Sequence, residues 1–494
     1  MPGLSDAPSD ELLSNVCDGM TGLLVDGVWR SGEAAFAVED KYTRRSIATV
    51  QYAEPADVDE AVAGAVAAAE HPLPPARRHE ILSAAAQLLQ ERREQVAAVY
   101  VAETGFTPAD ADTELTRAVA ILRLSAEESV RIAGEEVPVA ATPGSENRLA
   151  FTIRVPVGVV GAITPFNAPL NTVVHKVAPA LAAGNAVVLK PALQTPLCSV
   201  LLAGLLLEAG LPPGLLQLVC GPGSTVGAAL VADRRIRFFT FTGSTAVGLS
   251  IKQNSGIAKT HLELGSNSAS IVAADADLEL VADQVTRAGY RKAGQVCTSV
   301  QRLIAHASVV DELAALLAER VGALRSGDPR SPDVQVGPLI AEAEAERAHS
   351  WIRQAVHGGA ALLAGGERDG AVLTPTLLLD PPADSRIMTE EIFAPAVALV
   401  GAADLDQAID LVNSGPYGLQ AGLFTRDLDA AFHALRRLRV GGVMVNDTSS
   451  YHADAMPYGG VKGSGYGLEG PRYAVQEMTD PRIVVFNLRE GTWR

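Results

Sequence analysis

Between residues 157 and 306 the chain alternates six short, unbroken apolar runs with helical stretches, and this alternation constrains the fold more than any other feature. The runs are VGVVGAITP, AVVLKP, LLQLVCG, IRFFTFTG, ASIVAADA and QRLIAH; NTVVHKVAPALAAG, PLCSVLLAGLLLEAG and STVGAALVAD are helical stretches between them. A strand with one wet face alternates apolar and polar residues, whereas an unbroken apolar run is buried on both faces. The pattern therefore predicts parallel sheets with helices on either side. A second series follows from Asp311, with the helical VDELAALLAERVGAL and AEAEAERAHSWIRQAVHGG and strands at TPTLLL and AVALVG. At 494 residues the chain exceeds one small core, so two α/β domains are expected. Upstream, ADVDEAVAGAVAAAEH and the longer RRHEILSAAAQLLQERREQVAAVYVAET read as helices. Residues 132–138 and 149–157 flank the turn-like ATPGSENR and predict a hairpin, and the tail RIVVFNL predicts an extra strand.

The formal charge of −17 excludes a phosphate-binding surface of the kind that nucleic acid or an anionic membrane requires. No apolar stretch is long enough to span a bilayer, and the first residues show no basic segment leading into an apolar one, so no secretory signal is expected. Cys17, Cys198, Cys220 and Cys297 lack CxxC spacing, and the nine histidines lack HExxH spacing. Neither a disulfide framework nor a metal is implied, and a reducing, cytoplasmic setting is expected. The amino-terminal segment is polar and is read as loose. Cys17, Cys198 and Cys220 sit in apolar helical or strand-like settings and read as core residues.

Several phrases carry candidate chemistry. In GQVCTS, residues 294–299, Cys297 stands among small and hydroxyl residues, as a reactive thiol or as a buried structural one. In LELGS, Glu263 lies between leucines; burial there would raise its pKa and suit a base, while strand alternation would instead turn it to solvent. In ITPFNAPLN, Asn167 could donate an amide N–H to an oxyanion or simply cap a helix. FFTFTGSTAVG sets Gly243 and Ser244 at a helix start, where N–H groups can hold a pyrophosphate; GPGSTVG is similar but lacks the dinucleotide spacing. Lys190 ends an apolar strand, at the edge where α/β proteins bind ligands or as a solvated strand end.

Taken together and in order, TPFNAP, LKPALQTP, FTGSTAVG, LELGSNS, GQVCTS, EEIFAP and MPYGGVKGSGYG resemble the aldehyde dehydrogenase superfamily across nearly the whole chain. The resemblance implies an α/β fold with a Rossmann-like NAD(P)-binding domain, a second α/β catalytic domain and a β-hairpin oligomerisation arm. It places the cofactor domain at residues 1–130 and 154–262, the catalytic domain at 263–462 and the arm at 131–153 and 480–494. It further implies oxidation of an aldehyde to a carboxylic acid, with Cys297 as nucleophile, Glu263 as the base for thioester hydrolysis and Asn167 in the oxyanion hole. Lys176 matches a second lysine near the active site. Thr164, Pro165, Phe166, Lys190, Gly223, Gly243, Ser244, Leu264, Glu391 and Phe393 would surround NAD or NADP. The only partners implied are a small aldehyde and further copies of the chain, as dimer or tetramer.

Four positions depart from the family pattern. Leu193 replaces a glutamate of many NAD-preferring members, Gly265-Ser266-Asn267 replaces Gly-Gly-Lys, Ala394 replaces a glycine and Leu468 an arginine. The phrases LGSNS, GQVCTSVQR and EGPRYA are most similar to a branch acting on small, often anionic aldehydes such as lactaldehyde and phosphonoaldehydes. Arg117 lies where that branch places an anion-binding arginine, though a surface helix arginine reads the same way, and Tyr451 and His452 could line the substrate tunnel. A CoA-acylating relative is disfavoured by Glu263, and a catalytically silent one by the joint presence of Cys297, Glu263 and Asn167.

Overall fold

The computed structural model describes residues 20, 22–32 and 34–488. The expectations of a loose amino-terminal segment and of core packing for Cys17, and the tail beyond residue 488, lie outside the described residues.

All six apolar runs form strands. Four of them join Lys259–Glu263 in one parallel sheet, ordered Leu216–Val219, Ala186–Lys190, Val159–Ile163, Phe238–Thr242, Lys259–Glu263. Short antiparallel strands extend it to eight: Val28–Trp29 and Leu23–Val25 on one side, Gly465–Tyr466 on the other. The chain winds outward from Val159–Ile163 in one direction, then restarts at Phe238–Thr242 on the other side. The order thus reverses between these two strands, and ligands of open α/β sheets bind at the carboxyl edge of such a switch point. Register brings the strand ends level, with Ile163 beside Lys190 and Glu263 beside Thr242.

Helix Leu197–Glu208 shows why the sheet is buried on both faces. It is apolar all round because Pro75–Glu91 and Arg93–Thr104 cover its outer side. The long helical stretch predicted upstream is two helices, broken at Arg92, and the second carries Glu103 inward. The buried Glu103 carboxylate accepts the Leu197 and Cys198 backbone N–H groups at 2.7 and 2.9 Å, satisfying donors at the helix start.

The second sheet runs Ala361–Ala364, Thr376–Leu379, Ala396–Ala402, Arg302–His306, Ala269–Val272, Gln420–Phe424, Gly442–Val445, parallel except for the first strand. Alternate residues serve two cores: Val272, Leu303 and Ala305 on one face, Ile271 and Ile304 on the other. The five residues from 264 to 268 link the two sheets, so Glu263 ends the first where Ala269 opens the second. Among the described residues no helix is long and apolar enough to cross a membrane, and no cluster of His, Cys, Asp or Glu could hold a metal ion.

The predicted hairpin is arranged differently. Arg148–Pro156 forms as expected, but it pairs along its length with the tail strand Thr479–Asn487. Residues 132–138 contribute one bridge, Glu136 to Phe151, and bonds around Glu135 and Val137. Pro138 has no N–H to continue a ladder, and Gly134 lies so close that a Cβ there would sit 1.7 Å from the Thr152 carbonyl oxygen.

In the central strand, Gly161 makes room for the buried Phe239 ring, which a Cβ would meet at 2.7 Å. Phe239→Ala should therefore destabilise the protein by about 3–5 kcal/mol, read as a lower denaturation midpoint with unchanged far-UV circular dichroism.

Candidate active site

The loop leaving Val159–Ile163 is pinned at the switch point. The Thr164 N–H donates to the Lys190 carbonyl at 3.2 Å, and the Thr195 hydroxyl to the Phe166 carbonyl at 3.2 Å. The buried Thr164 Oγ1 has no hydrogen-bond partner among the described residues, a polar group aimed at something it does not find within the protein. Lys190 is buried at its strand end, where desolvation lowers its pKa, and among the described residues its Nζ makes only a long 3.4 Å bond to the Pro191 carbonyl. Gly227 lies against the Lys190 stem, and Gly223 borders open space. Ser244 caps the ten-residue helix Thr245–Asn254 by accepting the Val247 N–H at 3.4 Å, while the Gly243 N–H is spent on the Glu263 carbonyl. Gly243 therefore shapes the turn, and Leu264 packs beneath it against Gly248.

The opposite bank belongs to the second sheet. Phe393, in left-handed backbone at φ +50°, meets Phe166 edge-on at 5.8 Å between ring centres, while Pro165 stays half-buried beside it in the chain. Glu391 accepts the Ser266 backbone N–H at 3.0 Å, yet burial pushes its carboxyl up to about 8. Asn267, where the family carries lysine, donates to the Met388 and Glu390 carbonyls at 2.9 and 3.2 Å, tying the inter-sheet linker to the segment bearing Glu391. An unpaired buried hydroxyl, a desolvated lysine, an open glycine turn and a helix start at one sheet edge fit a dinucleotide with its anionic diphosphate.

The thiol is delivered by an unusual turn. After helix Leu278–Tyr290, Lys292, Ala293 and Gly294 all adopt left-handed backbone, φ +51°, +54° and +68°. Such a conformation costs about 1–2 kcal/mol per non-glycine residue. At Gly294 a Cβ would lie 2.1 Å from the Ala394 oxygen, so only glycine fits. The buried Lys292 ammonium holds the turn, bonding Glu114 at 2.7 Å and the Asn167 carbonyl at 3.1 Å. The Asn167 side chain returns a bond, Nδ2 to the Gln295 carbonyl at 2.8 Å, and its amide has a second N–H to offer. Two bonds therefore join the Asn167 loop to the Cys297 loop. Cys297 is half-buried, with Sγ 3.0 Å from the Tyr458 hydroxyl. Burial pushes the thiol up to about 11 against the opposing Tyr458 hydrogen bond, with the Glu391 and Glu263 charges adding to the rise.

Glu263 is buried rather than turned to solvent. Its Oε1 lies 3.1 Å from His261 Nε2, and burial, followed by the Glu469 charge, raises its carboxyl well above the usual range. Lys176, from helix Asn171–Ala182, is wholly enclosed below it. Its Nζ bonds Glu469 at 2.7 Å and the Thr240 hydroxyl at 3.1 Å. Burial alone would raise the Glu469 pKa, but Lys176 and the neighbouring His175 and His261 bring it down to about 2.

On the outer side, Arg117 does not stand free: it pairs with Asp454 at 2.7 Å and contacts His452 Nδ1 at 2.6 Å. His452 stacks edge-on against Tyr458 at 4.8 Å, so Arg117 connects through it to the thiol's neighbour. Tyr451 is half exposed. Arg291, just before the turn, bonds the Ser450 hydroxyl at 2.8 Å and lies close enough to feel the charges of Arg117 and Cys297. Sequence reasoning missed Tyr458, Arg291, Lys292, His261, Asp454 and Glu469. Of these, Arg291 and Lys292 were signalled by two adjacent charges one residue before GQVC.

Removing Lys292 would strand a buried Glu114. Lys292→Met should cost about 3–5 kcal/mol, seen in thermal denaturation, and Glu114→Gln added to it should restore part of the loss.

The aldehyde dehydrogenase family profile matches residues 29–484. The 3-sulfolactaldehyde dehydrogenase of Priestia aryabhattai is 48% identical over 467 residues, 94% of this chain and 98% of the relative. Aldehyde dehydrogenase 21 from Physcomitrella patens, solved with the reaction product succinate, superposes with a TM-score of 0.93 at 35% identity, covering 95% of this chain and 98% of that one. The NADP-dependent glyceraldehyde-3-phosphate dehydrogenase of Bacillus halodurans, solved with NADP, gives 0.93 at 35% identity, covering 95% and 99%. The chain belongs to the aldehyde dehydrogenase family and is an NAD(P)-dependent aldehyde dehydrogenase.

Proposed function

We propose that the protein oxidises a small anionic aldehyde to its acid through an acyl-enzyme on Cys297. The observation that carries this reading is the pair of bonds between the Asn167 and Cys297 loops, which sets an amide donor beside a thiol with a buried carboxylate at the adjoining strand end. Thr164, Lys190, Gly223, Ser244, Glu391 and Phe393 would hold NAD or NADP, with Pro165, Phe166, Gly243 and Leu264 shaping the site. When bound, the nicotinamide supplies a hydride acceptor. Cys297 loses its proton and attacks the aldehyde carbon. The Asn167 amide and the Cys297 backbone N–H carry the resulting oxyanion, and Glu263 takes a proton from the water that hydrolyses the acyl-cysteine. Lys176, ion-paired beneath, holds Glu469 ionised without touching the reacting atoms.

Two arginines support an anionic substrate. Arg291 lies close enough to feel the Cys297 charge, Arg117 lies close enough to Arg291 to act on it, and the 3-sulfolactaldehyde and succinate named for relatives are both anionic. Arg117→Ala and Arg291→Ala should each raise KM for 3-sulfolactaldehyde about 10- to 100-fold and change little for propionaldehyde. Equal losses on both substrates would make the arginines structural.

Cys297→Ala should abolish oxidation while leaving NADP binding intact, as measured by fluorescence titration. With the thiol pushed up to about 11, the free protein should be alkylated by iodoacetamide slowly at neutral pH and faster as pH rises. Tyr458→Phe should move that rise to higher pH by removing the bond that opposes burial.

Leu193 is half-buried in the loop after Lys190. Leu193→Glu should shift the ratio of kcat/KM toward NAD, because a carboxylate there would bind ribose hydroxyls and repel a 2′-phosphate.

The domain division is proposed as residues 1–130 and 154–262 for the cofactor and 263–462 for catalysis, with 131–153 and 480–494 as the arm of a cytoplasmic homo-oligomer. The two-stranded arm exposes Ile153, Ile483, Val485 and Phe486, apolar surface that a second subunit would cover. Light scattering at micromolar concentration should report a dimer or tetramer, and a monomer would refute the arm's role.

A further inference from the structure

We infer that Thr240 and His261 are positioning residues that decide which oxygen of Glu263 receives the proton from water. The inference rests on the reading of Glu263 as the deacylating base.

The direction of each bond follows from what each group can do. A lysine ammonium only donates. The 3.1 Å bond from Lys176 Nζ makes Thr240 Oγ1 an acceptor there and leaves the Thr240 O–H free to donate. Its neighbour is His261 Nδ1 at 3.4 Å. An imidazole that accepts at Nδ1 carries its proton at Nε2, and burial and Lys176 hold His261 down to about 3, so it has that one proton only. His261 Nε2 therefore donates to Glu263 Oε1 at 3.1 Å. The chain runs one way, Lys176 to Thr240 to His261 to Glu263, and all four side chains are buried. Oε1 is thereby occupied. Glu263 Oε2 is buried and has no hydrogen-bond partner among the described residues, which leaves it as the oxygen that meets water.

In the step so arranged, water oxygen bonds to the acyl carbon, the C–S bond breaks, Cys297 leaves as thiolate and the water proton passes to Oε2. A donor on Oε1 favours the ionised, working form of Glu263. Other charged or titratable groups act on this carboxylate from each surrounding element: Lys176 from its helix, Glu469 and Glu477 from the carboxyl-terminal segment, and Cys297 and Tyr458 from the catalytic side. Loss of the His261 donor raises the Glu263 pKa. Because a base works above its pKa, the rising limb of deacylation must then move to higher pH.

The test needs no cofactor. With p-nitrophenyl acetate, acetyl transfer to Cys297 releases a burst of nitrophenolate, and the later steady phase reports hydrolysis of the acetyl-cysteine. His261→Phe and Thr240→Val should keep the burst, move the steady-phase inflection up by about one pH unit and slow that phase about tenfold at pH 7. His261→Gln, whose amide N–H sits near the position of Nε2–H, and Thr240→Ser should return the inflection toward the wild-type value. An unmoved inflection, or burst and steady phases slowing in parallel, would overturn the inference alone. A wild-type protein with no burst would overturn the acyl-cysteine reading and this inference with it.

Discussion

The left-handed turn at Lys292, Ala293 and Gly294 is the constraint on which the site depends. It reverses the chain between a helix and a central strand of the second sheet and presents Cys297 toward the first. Left to itself the turn would relax, since two of its residues resist that backbone. Its hold is electrostatic and buried: one ammonium bridges Glu114 on an outer helix and the carbonyl of Asn167. The same contact that stabilises the turn therefore ties the Asn167 loop to the segment leading to Cys297. On the proposed roles of Asn167 and Cys297, a substrate oxygen and carbon would be met together only if these loops stay in register, so the folding interaction would also set the catalytic geometry.

Much of this was legible in the sequence because the strongest signals were apolar periodicity and short ordered phrases. Strands with Val, Ile, Leu or Phe throughout, such as Ala186–Lys190 and Phe238–Thr242, announced themselves. Gln420–Phe424 and Gly442–Val445, each short and interrupted or opened by a glycine, did not, although both complete the second sheet. The strand residues 149–157 were read correctly, and residues 135–137 do bond to them, but the main partner is the tail strand, since pairing over more than 300 residues of sequence leaves no local mark. At the site, Cys297, Glu263 and Asn167 lie in recognisable phrases and the structure brings their loops together. Tyr458, His261 and Lys292 were invisible as site residues because their importance lies in what they contact across the fold. Arg117 was noticed, but its pairing with Asp454 could not be foreseen from a helix sequence.

That pairing bears on the proposal that an acidic protein takes an anionic aldehyde. Glu263 and Glu469 are buried and Glu391 half-buried near the thiol, and Glu263 and Glu391 are pushed above the usual carboxylate range, which lessens the negative charge they carry near neutral pH. Lys176 offsets the third. The reaction centre is thus less negative than a count of its carboxylates implies, and the chain's overall charge of −17 says little about the field there. Arg117, bound to Asp454, contributes hydrogen-bond donors more than net charge. Arg291 bonds a neutral serine, and Asp110 and Glu114 act on its charge without a direct ion pair among the described residues, so it is the less closely compensated of the two. If anion recognition is electrostatic, Arg291 must carry more of it than Arg117. A larger KM effect from Arg117→Ala than from Arg291→Ala would instead mean that the Arg117–His452–Tyr458 contacts shape the tunnel, with charge secondary.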